Sequence, residues 1–340
     1  MKQSLFNKNK IYLAIVIGLS ISGYLLYSEV SKTGFSKSWN SIQFTFGTFL
    51  LLGLAVLMML FRDLGYVIRL RLLTDKKLTW RQCLKVILMW EFTSAVSPGV
   101  VGGSAVAMFI LKKEKINLGK STAIVITTTL FDNLFYVIAI PLAILIVDST
   151  QLLPSELQHY LPQFWIGYSI ILGITILLFT SLFYYPQLIQ KLLEWIFKLP
   201  FLIKYKQKAT QTGKDIITAS LTFKHKKLTF WFKVLLSTTL SWTSRFLVVN
   251  FILMAFVKLS FYQNIVIFAK QLAMWLILLV SPTPGGSGVA EYLFDTFLGE
   301  FLPIGALVVL TSILWRLISY YPYLFIGAFV LPKWLGKEYT

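Results

Sequence analysis

The sequence predicts an all-α, polytopic membrane protein in which six spanning helices and two re-entrant helical hairpins form an inverted-topology repeat. Hydrophobic residues make up 56% of the 340 residues and charged residues only 14%, against about 25% charged in ordinary soluble domains. The apolar runs are long enough to cross a membrane as helices and lack the alternation of barrel strands. Two runs are interrupted by segments rich in Pro and Gly, the first break (Ser97–Ser104) and the second break (Ser281–Gly288).

The apolar segments assign the elements in order along the chain. Ile11–Tyr27 follows three lysines but precedes no cleavage site of small residues, so we expect a retained span rather than a signal peptide. Val86–Val96 and Val100–Leu111 are each too short to span and are predicted to form the first hairpin. Ile265–Val280 is predicted to enter the second hairpin. The other predicted spans are Ile42–Phe61, Ser121–Val147, Phe164–Tyr185, Phe230–Val257 and Leu302–Leu331.

The distribution of charge predicts the topology. Lysine and arginine concentrate in Arg62–Lys85, in the segment after the first hairpin and in the loop Pro186–Thr229, which are therefore expected in the cytoplasm. Asp148–Gln163 has acidic residues and no lysine or arginine, so it is expected outside. The flank of the second break carries Asp295 and Glu300, so the second hairpin is expected to enter from outside. Both termini are then cytoplasmic, and the predicted location is the bacterial plasma membrane.

Composition also excludes several functions. The net charge of +18 lies in a few loops, which favours anionic lipid headgroups over nucleic acid. One cysteine, Cys83, and two separated histidines, His159 and His225, predict neither a metal site nor a cofactor. No phosphate-binding loop of an ATPase is present. An enzyme acting within the membrane, with Glu91 or Asp132 as its base, stays open as an alternative.

The two breaks indicate an internal duplication. Each follows a tryptophan, Trp90 or Trp275, at a similar distance, and each lies in the order span, span, hairpin, span. The single transmembrane domain, residues 1–340, then contains pseudo-repeats 11–147 and 164–331 joined across a short external loop. The basic cytoplasmic loop 186–229 belongs to the second. Inverted repeats are common in transporters, whose broken helices meet near the midplane and form the substrate site. Two simple helix kinks are the alternative.

The residues of the breaks suit an anion site. Proline ends a half-helix, glycine permits positive φ and close approach, and serine caps the returning half-helix. The free N–H groups of such a helix start favour a phosphate. The predicted substrate-binding residues of the breaks are Ser97, Pro98, Gly102, Gly103, Ser104, Pro282, Pro284, Gly285, Gly286, Ser287 and Gly288.

Six ionisable residues fall inside apolar segments: Glu91, Asp132, Arg245, Lys270, Glu291 and Arg316. Each is costly in lipid, so they are expected to face the protein interior. Salt bridges among them are one interpretation. Contacts to a headgroup or phosphate are the other, with Glu91, Glu291, Lys270, Arg245 and Arg316 as candidates, because arginine binds two phosphate oxygens at once.

The segment Ser281–Glu291 resembles the flippase-like family related to the transmembrane domain of lysylphosphatidylglycerol synthase. Pro98 with Gly102 and Gly103 resembles the first motif of that family, and Leu314–Tyr321 resembles its final span. Phe131-Asp132-Asn133 departs from the family, which often has a Glu-Arg pair there. The resemblance implies translocation of a lipid or lipid-linked substrate, without the aminoacyl-transferase domain of full-length synthases.

The expected function is therefore movement of a lipid or polyprenyl-linked substrate between leaflets, by a protein that is not an enzyme. Membrane lipids, including anionic or polyprenyl-phosphate-linked ones, are the predicted partners. Two alternatives stay open: a secondary transporter of a small anionic solute, and a non-transporting partner of a separate lipid-modifying enzyme or glycosyltransferase.

Overall fold

A computed structural model describes residues 42–97, 99–188, 206–279, 281, 283 and 285–335, with the isolated positions 16, 20, 23, 24, 27, 191 and 195. These residues are helical or irregular, without strands. The predicted first span, Ile11–Tyr27, lies almost entirely outside them. The helices are α1 (Phe46–Leu73), α2 (Trp80–Val96), α3 (Gly99–Lys113), α4 (Leu118–Ile144), α5 (Leu161–Phe183), α6 (Lys206–Lys224), α7 (Leu228–Met254), α8 (Phe261–Leu278), α9 (Val289–Leu298), α10 (Gly305–Ser319) and α11 (Tyr321–Leu335).

Side-chain caps mark several helix starts. A polar side chain just before the helix accepts a hydrogen bond from a backbone N–H that has no partner inside the helix. Thr45, Thr79 and Ser260 cap α1, α2 and α8 in reciprocal capping boxes, and Asn117 caps α4. Polar caps ahead of apolar runs thus define where these membrane-length helices begin.

Five helical segments in the described part of the chain are long and apolar enough to cross a membrane: Phe46–Leu73, Leu118–Ile144, Ser155–Phe183, Phe261–Leu278 and Gly305–Gly327. The chain is therefore an all-α membrane protein, as predicted. Helix α7 is helical as expected but is not one of the five, and polar side chains occur along much of its length. Helix α8 is one of them, although it was expected as a hairpin arm. Six spans and two re-entrant hairpins stay predictions.

One predicted boundary is wrong, and two other predicted segments have more helical structure than expected. Helix α1 does not end at Phe61 but continues to Leu73, because the basic side chains beyond Phe61 are paired inside the protein. The predicted span Leu302–Leu331 contains α10 and α11, which are separated at Tyr320 because Pro322 has no N–H to continue α10. Its part Gly305–Gly327 is still one of the segments long and apolar enough to cross a membrane. The loop Pro186–Thr229 contains helix α6, which packs against α4 and α5.

Helices α1 and α7 form the most extensive helix pair. At Gly65 a Cβ atom would lie 2.3 Å from Ser241 Oγ and 2.6 Å from the Ser237 carbonyl oxygen, so only glycine permits this approach. Ser241 Oγ also donates to the Arg62 carbonyl oxygen at 2.9 Å. Each of these helices precedes one of the two breaks, so their contact brings the two halves of the chain together.

Beyond the contact between α1 and α7, the helices pack in two groups. Helix α2 packs against α3 and α11, and Gly327 of α11 lies so close to Phe92 that a Cβ would be 2.1 Å from its ring. Helices α4, α7, α8, α9 and α10 surround a second apolar cluster that includes Phe246 and Phe294. Helix α5, by contrast, leaves side chains such as Ile170 exposed, which is the expected face toward lipid.

The turn after α1 ties three elements together. Asp75 accepts hydrogen bonds from Lys120 at the start of α4 and from Lys226 just before α7, each at 2.5 Å. Burial raises the pKa of the Asp75 carboxyl, but the hydrogen bonds and charges of the two lysines outweigh it and hold that pKa below its ordinary value. The two halves of the chain are therefore also joined at this end.

Candidate functional site

A cavity of about 310 Å³ lies where the two breaks meet. The first break contributes Ser97 and Ser104 to its wall, and the second contributes Ser281, Gly285 and Gly286. Helices α1, α2, α4, α7, α8 and α10 supply most of the rest of the lining, and α9 and α11 add Ala290 and Tyr323. Two segments separated by more than half the chain thus face one another across a single space.

The first break is short. Helix α2 ends at Val96, Ser97 is extended (φ −95°, ψ 142°), and α3 begins at Gly99. Gly102 and Gly103 are helical, and a Cβ on Gly103 would lie 2.0 Å from Ser94 Oγ. Close packing of α3 on α2 is therefore the reason for glycine there. Pro98 lies outside the described residues.

The second break is a longer, non-helical turn. Gly285, Gly286 and Gly288 have φ of 57°, 69° and 85°, in agreement with the positive φ predicted for the glycines of this break. A Cβ on Gly285 would also lie 2.2 Å from the Tyr320 ring. Pro282 and Pro284 lie outside the described residues. Glycine is thus required by the backbone itself in this break.

The predicted serine caps are wrong in both breaks. Ser104 lies within α3 rather than at its start. In the second break Gly288 occupies the cap position of α9, and its N–H donates to Glu291 Oε2 at 2.7 Å. Ser287 instead accepts a hydrogen bond from Arg316. A carboxylate of the chain therefore already occupies the anion-favouring start of α9.

Arg316 holds the second break in place. It is 4% exposed, and its Nε donates to Glu291 Oε1 at 2.9 Å. Its two terminal nitrogens donate to the Gly285 carbonyl oxygen at 3.2 and 3.3 Å, and one also donates to Ser287 Oγ at 3.3 Å. The guanidinium thus pairs with the carboxylate that caps α9 and with the backbone of the turn.

Tyr320 connects the two breaks. Its ring lies 4.0 Å from the Arg316 guanidinium carbon and against Gly285, while its hydroxyl donates to the Ala95 carbonyl oxygen at 3.1 Å. Ala95 lies two residues before Ser97. The side chain therefore joins the end of α2, just before the first break, to the second break, a contact that the sequence did not predict.

A second charged group surrounds Arg62 of α1. Its guanidinium pairs with Glu91 and, at 3.0 Å, with Asp63, and it lies between the rings of Tyr66 and Tyr323 at 5.0 and 4.9 Å. The Tyr323 hydroxyl donates to both oxygens of Asp63 at 2.8 Å. This group links α1, α2 and α11.

A third group centres on Arg69 and Asp132. Arg69 donates to the two oxygens of Asp132 at 2.6 and 3.3 Å and to Thr238 Oγ1 at 3.0 Å. Trp242 Nε1 donates to the same carboxylate at 2.7 Å. Asp132 is thus an ion-pair partner that accepts three hydrogen bonds, which argues against the alternative in which it is a catalytic base.

The sequence predicts Arg62 and Arg69 in the basic segment Arg62–Lys85, beyond the end of the apolar run and on the cytoplasmic side. They sit in α1 and are buried. Their spacing with Tyr66, four and then three residues, places all three on one face of a helix. Continuing the helix past Phe61 would have revealed that face.

Arg245 lies between two tryptophans. Its guanidinium carbon is 4.8 Å from the ring centres of both Trp242 and Trp275. Its nearest carboxylate oxygen, on Glu91, is 3.7 Å away, and it donates to the Tyr66 hydroxyl at 3.5 Å. Arg245, Glu91 and Arg316 therefore line the cavity as candidates, and Glu291 supports it through Arg316.

Lys270 is placed elsewhere. It is buried and pairs at 2.6 Å with Glu300, which is about half exposed, in a shallow depression beside Phe301. The cavity lining does not include it. Its position therefore gives no support to the predicted role in headgroup contact.

Membrane-length helices that enclose a charged cavity between two interrupted segments define a multi-pass membrane protein with an internal polar site. The model of the family described as "Lysylphosphatidylglycerol synthase TM region" matches residues 12–327, and the chain belongs to that family. It is also 23% identical over 332 residues to a UPF0104 membrane protein of Archaeoglobus fulgidus, covering 93% of this chain and 94% of that relative. No solved structure matches the chain significantly.

Proposed function

We propose that the protein moves a lipid or a polyprenyl-linked lipid between membrane leaflets, with the headgroup in the cavity between the two breaks. The observation that carries the proposal is the mixture of charged and apolar residues in the wall of this cavity. Buried arginines and carboxylates lie beside apolar side chains such as Leu70, Ile87, Met274 and Leu278. A lipid would match this wall, because its headgroup is polar and the first part of its acyl chains is apolar.

The arrangement also fits alternating access. In transporters with inverted repeats, one half moves against the other around a site built from interrupted helices. Here the cavity lies between two interrupted segments, and α1 and α7 from the two halves pack side by side. Membership of the lysylphosphatidylglycerol synthase transmembrane family supports a lipid substrate over a soluble one.

Reconstitution into liposomes tests the proposal. Purified protein is expected to speed the exchange of fluorescent phospholipids between leaflets, as measured by quenching of the outer leaflet, for at least one headgroup in a panel. Exchange no faster than in protein-free vesicles for every headgroup, together with saturable uptake of a small anion, would favour the solute transporter. Absence of both activities would favour the non-transporting partner.

A pair of glycine variants makes this test specific to the breaks. Gly286→Leu is expected to abolish lipid exchange, because Gly286 has φ of 69° and its added side chain would start 3.2 Å from Leu278. Gly173→Leu is the matched control, since nothing lies within 4 Å of a Cβ there, on the exposed helix α5. Normal exchange by Gly286→Leu would support the interpretation of the breaks as simple kinks.

A further inference from the structure

Hydrogen-bond donors without a partner collect in the cavity wall. Within the described residues, five buried side-chain polar atoms have no hydrogen-bond partner: Arg62 Nε, Tyr136 Oη, Ser220 Oγ, Arg245 Nε and Ser312 Oγ. Three of these, on Arg62, Tyr136 and Arg245, belong to residues that line the cavity. Buried polar groups are nearly always hydrogen-bonded, so such a cluster calls for a ligand that accepts hydrogen bonds.

Arg245 differs from the other three arginines of the cavity. Arg62, Arg69 and Arg316 each form a close ion pair with a carboxylate. The carboxylate nearest to Arg245 is the one already paired with Arg62, and the separation of 3.7 Å is longer than a hydrogen bond. Its side chain is one-fifth exposed. Arg245 is therefore the guanidinium with the most capacity left for a ligand.

Trp242 places Arg245 and Tyr136 on the same part of the wall. The Trp242 ring lies 4.8 Å from the Arg245 guanidinium carbon and 5.0 Å from the Tyr136 ring centre. Trp275 covers Arg245 from another side at 4.8 Å. The tryptophans hold the guanidinium by cation–π contacts, which orient it without using its N–H groups.

The charge balance of the cavity limits the ligand. Four arginines line the cavity, and they stand against four carboxylates. Glu91 and Asp132 line the cavity themselves, while Asp63 and Glu291 pair with two of its arginines, so the formal charges of the group cancel. A ligand with two or more negative charges would leave a larger uncompensated charge inside the membrane than a singly charged one. The unpaired donors therefore favour a ligand with oxygen acceptors, and the neutral charge balance favours a ligand with a single negative charge.

We propose that Arg245 and Tyr136 form the binding site for a singly charged phosphodiester, the headgroup phosphate of the lipid that the protein moves. Arginine binds two phosphate oxygens at once, and the phenol donates to a third acceptor position. Arg62 Nε adds a further donor on the same cavity. This inference rests on the proposed function for the identity of the ligand as a lipid, and on the unpaired donors for its chemistry.

Lipid binding by the purified full chain in detergent tests the site. The probes are dioleoylphosphatidylglycerol, dioleoylglycerol without a phosphate, dioleoylphosphatidic acid with a phosphomonoester, and inorganic phosphate, with retention measured by native mass spectrometry. We expect saturable binding of the phosphodiester lipid, weaker binding of phosphatidic acid and no saturable binding of dioleoylglycerol. Inorganic phosphate that competes at equal concentration would assign the site to a free anion and overturn the proposal.

Two variants probe the residues themselves. Arg245→Gln and Tyr136→Phe are each expected to weaken binding of dioleoylphosphatidylglycerol by about tenfold or more, as the loss of a hydrogen bond to a charged group predicts. Tyr136→Phe is expected to leave thermal stability unchanged or raise it, because the hydroxyl has no partner to lose. If the tyrosine had a purely structural role, Tyr136→Phe would lower lipid binding and thermal stability together.

Matched controls carry the same substitutions outside the cavity. Tyr168→Phe removes a hydroxyl that donates to the Val137 carbonyl oxygen at 3.0 Å, and Arg71→Gln removes a guanidinium that donates to Leu78 and stacks on Trp80. Both are expected to bind the lipid as the unmodified protein does. If the control variants weakened lipid binding as much as the cavity variants, the proposed site would be wrong.

The outcomes also separate the site from the proposed function. Lipid exchange by the unmodified protein, with normal binding by Arg245→Gln and Tyr136→Phe, would overturn the site and leave the function in place. Weak binding by those two variants, with no lipid exchange by the unmodified protein, would support the site and contradict the function.

Discussion

The two breaks look alike in sequence but use their glycines differently. In the first break the chain leaves the helix only between Val96 and Gly99, and Gly103 permits α3 to pack closely on α2. In the second break the described residues between Leu278 and Val289 are not α-helical, and three glycines adopt positive φ. A shared motif therefore predicts where a helix is interrupted, without predicting how the interruption is built.

The longer break is held by the side chain of an arginine from another helix. A non-helical turn within the membrane leaves backbone carbonyl groups that require donors. Arg316 donates to the Gly285 carbonyl oxygen and pairs with Glu291, which in turn caps α9. Just before the first break, by contrast, a neutral donor from another element, the Tyr320 hydroxyl, donates to the Ala95 carbonyl oxygen of α2. Variants of each break can test this difference.

The largest effect is expected for Arg316→Gln. The change leaves the Glu291 carboxylate, 9% exposed, without its countercharge and the Gly285 carbonyl without its donors. Breaking one side of a buried ion pair costs about 3–5 kcal/mol, so unfolding of the purified protein should occur at a clearly lower temperature. The double variant with Glu291→Gln should recover part of the loss. A loss below about 1 kcal/mol would mean that the arginine does not hold the turn.

A smaller contrast is expected between Gly285→Ala and Gly103→Ala. Gly285→Ala combines a positive φ of 57° with a Cβ 2.2 Å from the Tyr320 ring, for which we expect a loss of about 2–3 kcal/mol. Gly103→Ala is a helical position, where alanine is favoured by about 1 kcal/mol and offsets part of the crowding against Ser94. Thermal unfolding of the two variants measures the contrast.

A second substitution separates the two causes. Adding Ser94→Gly should relieve most of the crowding in Gly103→Ala, because the Oγ and Cβ atoms of Ser94 are removed and only its Cα, at 2.9 Å, stays close. No substitution of Tyr320 should fully relieve Gly285→Ala, since the backbone strain stays. Equal losses for the two alanine variants would contradict the difference between the breaks.

The sequence predicted the helical class, the two breaks, the family and most of the cavity charges, because each depends on local composition or spacing. It did not predict the roles of Arg62 and Arg69, whose partners Glu91 and Asp132 come from other helices. Tyr320 was missed for the same reason. A charged residue inside an apolar run can be recognised from the sequence around it. A charged residue just beyond the run can be assigned to the buried part of the helix only when its partner on another helix is known.

The smallest effect is expected for Tyr320→Phe, which tests whether the two breaks are coupled. The variant keeps the ring against Gly285 and Arg316 but loses the hydrogen bond to Ala95, at an expected cost of about 1 kcal/mol in thermal or chemical unfolding. Tyr168→Phe loses a comparable bond to a backbone carbonyl away from the breaks and should cost about the same. Because, of these two tyrosines, only Tyr320 joins the end of α2 to the second break, only Tyr320→Phe should also change the rate of lipid exchange. If both variants slowed exchange equally, the effect would follow from stability alone, and the two breaks would act independently.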